Sequence, residues 1–393
     1  MKTKYALLNL LILISVLSGC GGGGGSDSPA PPPSQSPSPN PTPEAVNIEE
    51  EFTEYLTDLA DGIILPRYQA FQDESRAMVD ASSTFCDLMS PSQQDLETIR
   101  TQWIAVTEAW QAIRFVNVGQ VTENNNSFRI QLWPDANDAV SRGVENLLIE
   151  SNTLTADFIS NTNAGGQGIP ALEYLLYPDN ANDSLFTAVD ATKRCELIEA
   201  ISNNLANISE EIYTAWIESG GNFRNALISG EAPFTSVQDS VEELATNWLE
   251  TLALTKDERM LFLLGDEAPG RPDRAEHFRS DISLAVVEIK LLTIRAFFTN
   301  LDGKGFDTII GDVLEQPSIN DQLMSALDAS VAAIQAINQN PDFDSYADLL
   351  DSDAGRAALT EVIDSTRDVR DILVADFIQV LDIQIGFNAL DGD

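Results

Sequence analysis

LIEAISNNLANISEEIYTAW, residues 197–216, decides the fold class. Leu197, Ile201, Leu205, Ile208, Ile212 and Trp216 recur at spacings of three and four, so they share one face of a helix for about five turns. The same spacing returns in Ile99, Trp103, Val106, Trp110 and Ile113, in Val237, Val241, Leu244, Trp248 and Leu252, and in Ile282, Val286, Ile289 and Ile294. Ser90-Pro91 predicts one helix start, and Thr235 with Gln238 fits a capping box at another. Alternating β-branched stretches are absent, and the chain reads as all-α.

Breaks in the pattern set the organisation. Glycine and polar residues interrupt it at 162–168, 219–233, 265–272 and 303–305. Roughly ten helices are too many for one bundle, so two packed four-helix-bundle-like domains are expected, over 47–225 and 226–393.

The 393 residues carry 62 acidic against 22 basic side chains, a net charge of −40. That excess repels phosphate backbones and excludes nucleic acid as a direct partner. Apolar residues make up 43%, enough for a packed interior, so the acidity reads mainly as solvated helix faces. His277 is the single histidine, which excludes any site needing two imidazoles, and with one histidine and paired cysteines no Ser-His-Asp or Cys-His arrangement is expected. Between Glu276 and Phe278, it reads as a surface or capping residue.

The first residues carry an address. Lys2 and Lys4 precede an apolar run too short to span a bilayer, ending in Leu17-Ser18-Gly19-Cys20. Leu-Ser-Gly-Cys resembles the lipobox of bacterial lipoproteins, which implies a signal peptide over 1–19 and lipidation of Cys20. Gly21, where an Asp would favour the inner membrane, implies an outer-membrane anchor. Residues 20–46, rich in Gly, Pro and Ser, then form a tether holding the body off the membrane. In an oxidising envelope Cys86 and Cys195 are expected to form a disulfide, the alternative being two separately buried thiols.

Three segments depart from plain bundle grammar. The first contains Arg129, Trp133, Pro134 and Asp135. The second runs from Gly165 to Tyr177, with Pro170 at a helix start and Glu173 among Leu172, Tyr174 and Leu175. The third is Phe278-Arg279-Ser280. A half-buried carboxylate at Glu173 needs a partner: an arginine (Arg129 or Arg279), hydroxyl donors or a cation. Trp133 and Tyr174 read more readily as core or interface aromatics than as ligand platforms. Asp302-Gly303-Lys304-Gly305 makes a poor calcium loop, because lysine stands where an oxygen ligand is needed.

Trp133-Pro134-Asp135, Gly168 with Glu173-Tyr174-Leu175-Leu176, Arg279-Ser280, and the ending Gly386-Phe387-Asn388 with Asp391-Gly392-Asp393 together resemble the imelysin family. The resemblance implies two packed helical bundles with a functional pocket between them, in an envelope protein associated with iron acquisition and classed among metallopeptidases. The family's Gly-x-His-x-x-Glu metal motif reads here Gly168-Ile169-Pro170-Ala171-Leu172-Glu173. Pro170 has no donor atom to offer a metal, which turns the reading away from an enzyme.

Three functions stay open. The first is a non-catalytic binding lipoprotein whose pocket includes Glu173, Trp133, Asp135, Arg129, Tyr174, Arg279 and Ser280, with an iron ion as candidate cofactor and Glu173 as its metal ligand. The second is a metallopeptidase with a degenerate site. The third is a protein that docks iron-uptake or other envelope partners, with no small-molecule site. In each, membrane contact runs through the lipid anchor alone.

Overall fold

The computed structural model describes residues 46–135, 137–177 and 189–386. The expected signal peptide, Cys20 and nearly all of the expected tether, together with Phe387, Asn388, Asp391, Gly392 and Asp393, lie outside the described residues. Those described are helical or irregular, with no strand among them. Residues 46–393 form one compact unit.

Ten longer helices carry just over half of the described residues: α1 (Ile48–Leu59), α2 (Leu65–Cys86), α3 (Gln93–Ile113), α4 (Ala139–Leu148), α5 (Gly168–Leu176), α6 (Ala191–Trp216), α7 (Val237–Lys256), α8 (Ser283–Thr299), α9 (Pro317–Gln339) and α10 (Asp353–Ile372). The residues spaced by three and four are the ones buried, except Ile282, which precedes α8, and Ile289, both only partly enclosed. Leu197, Ile201, Leu205, Ile208, Ile212 and Trp216 of α6 are almost fully enclosed, as are Trp103 and Trp110 of α3 and Trp248 of α7. Each such side chain contributes about 1.5–3 kcal/mol over leaving it in water.

Helix α2 packs between α3 and α6, with α5 against α3 and α6. In the later half, α8 packs on α7 and α9, and α10 on α7 and α9. The halves meet where α3 packs on α8 and α1 on α7. One continuous apolar core runs through both. Tyr55 of α1 packs on Phe297 of α8, and its hydroxyl donates to the Phe297 carbonyl.

Helix starts fall slightly away from the expected residues. Helix α3 is capped by Ser92, not Ser90, through a reciprocal box with Asp95. Helix α7 is capped by Ser236, one residue past Thr235, whose hydroxyl accepts from the Asp239 amide, while the Asp239 carboxylate accepts from the Thr235 amide and hydroxyl. In both cases an Asp three residues on captures the cap, and acidic side chains are abundant in this chain. Lys304 is no part of a calcium loop: its amide donates to Asp58 and its amine pairs with Glu51 and Glu54.

Cys86 and Cys195 are bonded, with Cα atoms 5.5 Å apart, joining the end of α2 to the start of α6 across 109 residues of sequence. A cross-link closing so long a loop removes much freedom from the unfolded chain. The Cys86→Ser, Cys195→Ser double variant is therefore expected to keep its far-ultraviolet helical signal but lose about 2–5 kcal/mol in urea unfolding.

Candidate functional site

The site is built where α5 meets the irregular segment that precedes α8. Helix α5 opens on Gly168, whose φ of +67° is left-handed and whose missing side chain matters: a Cβ there would stand 2.2 Å from the Arg129 carbonyl oxygen. Only glycine lets the chain turn into α5 so close to another strand of backbone. The Trp103 indole of α3 then donates to the Ile169 carbonyl at 3.1 Å, fixing the start of the helix. Pro170 follows in the first turn and Glu173 one turn later.

Glu173 is buried at 3% exposure and is grasped from across the molecule. Its Oε1 accepts from the Ser280 amide at 2.9 Å and from the Ser280 hydroxyl at 2.8 Å. Its Oε2 lies 3.5 Å from His277 Nδ1. Burial alone would push this carboxyl up, but His277 and the two Ser280 donors outweigh it and hold it below the usual carboxylate range. Residues 276–281 form successive turns, with His277 and Asp281 both left-handed, so the segment curls around the carboxylate.

His277 is thus a correction to the surface or capping residue expected from sequence: its side chain is fully enclosed, edge-on to Trp103 at 5.4 Å. Its neighbour Glu276 points the other way, into a buried cluster that sequence reasoning missed. Glu276 accepts from Arg114 of α3 at 2.7 Å, from Gln111 at 3.2 Å, and from Arg259 at 2.7 Å. Lys290 of α8 donates to the Gln111 carbonyl at 2.7 Å. Burial opposes the charge of Glu276, yet Arg259 and Arg114 hold its carboxyl far below the usual range. Burial, with the same two arginines beside it, drives the Lys290 amine well below an ordinary lysine. No local motif announces the cluster, because its members come from three distant helical segments.

A cleft of about 1010 Å³ opens above Glu173 and His277. Trp133, Asp135, Tyr174 and Arg279 also line it, and Ser280 lies just behind, bonded to Glu173. Asp135 spends its carboxylate on the Ala139 and Val140 amides, capping α4 at 2.7 and 2.9 Å. The Trp133 ring lies under the Arg259 guanidinium at 4.5 Å. Tyr174 donates to Glu145 at 2.7 Å, and with partial burial this lifts its phenol to about 12. Arg129 is elsewhere: it donates to Gln167, Asn126 and Asn204 and is not part of the lining. Neither Arg129 nor Arg279 is the partner expected for Glu173. The hydroxyl and amide of Ser280 fill that place, which is the hydroxyl-donor alternative among the partners expected.

The residues do not fit a resident iron ion. Around Glu173 the nearest imidazole nitrogen is His277 Nδ1, which itself faces Glu173 Oε2 at 3.5 Å. Among the described residues no three His, Cys, Asp or Glu side chains gather where an ion could be held. A carboxylate and one imidazole fall short of the three protein ligands such sites use.

Comparison with known proteins bears on family and fold. The imelysin profile matches residues 64–373. The fold is similar to an imelysin-like protein from Psychrobacter arcticum 273-4, with a TM-score of 0.69 and 22% identity over 87% of this chain and 98% of that one. It is also similar to a protein of Parabacteroides distasonis ATCC 8503 provisionally named iron-regulated protein A precursor, with a TM-score of 0.66 and 14% identity over 85% and 94% of the two chains. No curated protein sequence matches.

Two substitutions separate the roles inside the buried cluster. Glu276→Gln leaves Arg114 and Arg259 without their counter-charge and is expected to cost about 3–5 kcal/mol. Lys290→Met removes a strained cation and is expected to cost clearly less. Because Glu276 is held low in the fold, its contribution is in place above the unfolded carboxyl's pKa and is lost as pH falls through that value toward the folded one. Denaturant titrations from pH 6 down to pH 3 should therefore show a shallower loss of stability in Glu276→Gln than in the wild type.

Proposed function

The chain belongs to the imelysin family, and from that membership we propose a non-catalytic binding lipoprotein of the bacterial envelope that serves iron acquisition. One observation carries the reading. Glu173, the acidic residue retained from the family's metal motif, is held on one oxygen by Ser280 and faced on the other by His277, at the base of a wide cleft. A carboxylate committed in this way shapes and anchors a binding site. It is poorly placed to activate water, and Pro170 has replaced the side chain that would have joined it on the helix. The relative with an iron-regulated name supports iron as cargo. Since the donor set does not suit a bare ion, the cargo is read as iron already wrapped in a chelator.

The address follows from residues 1–46. A signal peptide over 1–19, an acylated Cys20 followed by Gly21, and a Pro-rich tether would place the body at the outer membrane, within reach of iron-uptake partners. Among the described residues no helix is long and apolar enough to cross a membrane.

The mature chain is expected to cleave no peptide substrate with zinc, ferrous or calcium ions added. Deleting it from its bacterium should lower uptake of radioactive iron under iron limitation, and Cys20→Ala should reproduce that loss by releasing the body from the membrane. Peptide cleavage that disappears in Glu173→Gln would overturn the binding reading in favour of a metallopeptidase.

A further inference from the structure

Resting on the binding reading, we propose that the ligand of this cleft is an aromatic anion: one or more aryl rings carrying carboxylate or phenolate oxygens. The protein as a whole is strongly acidic, with 22 basic residues against 62 acidic ones. Even so, Arg194, Arg271, Arg274 and Arg279 all line this one cleft. Its aromatic rings are equally concentrated. Among the described residues, every arginine stacked on an aromatic face uses a ring of this lining: Arg259 on Trp133, Arg100 on Tyr177, Arg271 on Phe262, and Arg279 on both Tyr174 and Phe278.

Arg279 shows what the arrangement can do. Its guanidinium lies 5.0 Å from the Tyr174 ring and 4.4 Å from the Phe278 ring. Among the described residues it makes no ion pair, and its N–H groups donate to no acceptor. A guanidinium held by its faces keeps its donor edge available for a carboxylate or a pair of phenolate oxygens, in the forked geometry such groups prefer. Two of the cleft's own carboxylates are already occupied, Asp135 by backbone amides and Glu173 by Ser280 and His277, so they compete little for that arginine. Glu258, Asp138 and Asp273 keep the lining mixed in charge, so it is the unpaired arginine that would set the anion's position.

The rings account for the rest of the ligand. Phe262 and Phe278 are 43% and 40% exposed, an apolar surface that a flat ring would cover. The cleft, at about 1010 Å³, is far larger than any ion and at the upper end of sites for drug-sized molecules. A chelator whose acidic oxygens bind ferric iron and whose rings face outward meets all three demands: charge, flatness and size.

Calorimetry on the full mature chain tests this with ferric tris(2,3-dihydroxybenzoate) as probe and ferric citrate as the chelate without rings. The aryl complex is expected to bind at least about tenfold more tightly than citrate, and Arg279→Ala to weaken it by about tenfold or more, the worth of one lost charge-assisted contact. Arg279→Lys should recover only part of that loss, since an ammonium cannot lie flat between two rings. Unchanged urea unfolding in both variants separates lost recognition from lost folding. Equal binding of the two chelates, or full binding by Arg279→Ala, overturns the aromatic-anion inference and leaves the binding reading standing. No binding of either chelate overturns both.

Discussion

The carboxylate of Glu276, enclosed between the guanidinium groups of Arg114 and Arg259, is the contact on which the rest of the site depends. Arg114 follows directly on α3, Arg259 lies on a π-helical turn (Asp257–Leu261) continuing α7, and Glu276 belongs to the irregular segment before α8. One buried anion therefore ties three separate stretches of chain together. An unpaired charge at that depth would be costly, so the three stretches hold one arrangement. That arrangement fixes the direction of the next residue. With Glu276 turned into the cluster, His277 and Ser280 are turned toward Glu173.

The cleft inherits this rigidity from both sides. Helix α5 is fixed by the left-handed Gly168 and by Trp103 reaching the Ile169 carbonyl, and the opposing segment is fixed by Glu276. Arg259 serves both purposes at once: its Nε holds Glu276, and its planar face lies on Trp133 at the wall of the cleft. Its backbone carbonyl also accepts from the Tyr346 hydroxyl at 2.6 Å. The cleft wall is thus an outgrowth of the buried polar cluster, and side chains held in place in this way would lower the ordering cost of the proposed binding.

A good part of this was legible in the residues. The three-and-four spacing of large apolar side chains identified the helices, because a helix that buries a stripe repeats with its own turn. Glu173 stood out as an acid among leucines that would need a partner. Ser280 and Arg279 were drawn in through a local motif, and Cys86 with Cys195 through their number and the leader before them. What was missed shares one property. Gln111, Arg114, Arg259, Glu276 and Lys290 look like any polar residue on an amphipathic helix or in a turn. Their burial comes from α3, α7 and α8 meeting, which no local window contains. His277 was misread for the same reason, since a lone histidine between a glutamate and a phenylalanine carries no sign of which way the backbone will turn it.

The sequence by itself determined that this protein is helical and that it carries a large excess of acidic over basic side chains. Those are consequences of composition and spacing, which are local and additive. Only the tertiary structure decided that a histidine from another part of the chain would face Glu173, that Arg129 would stay outside the cleft, and that arginines and aromatic rings would be stacked around one cavity. Such pairings depend on distances between segments far apart in the chain, and those are settled by packing the whole core at once.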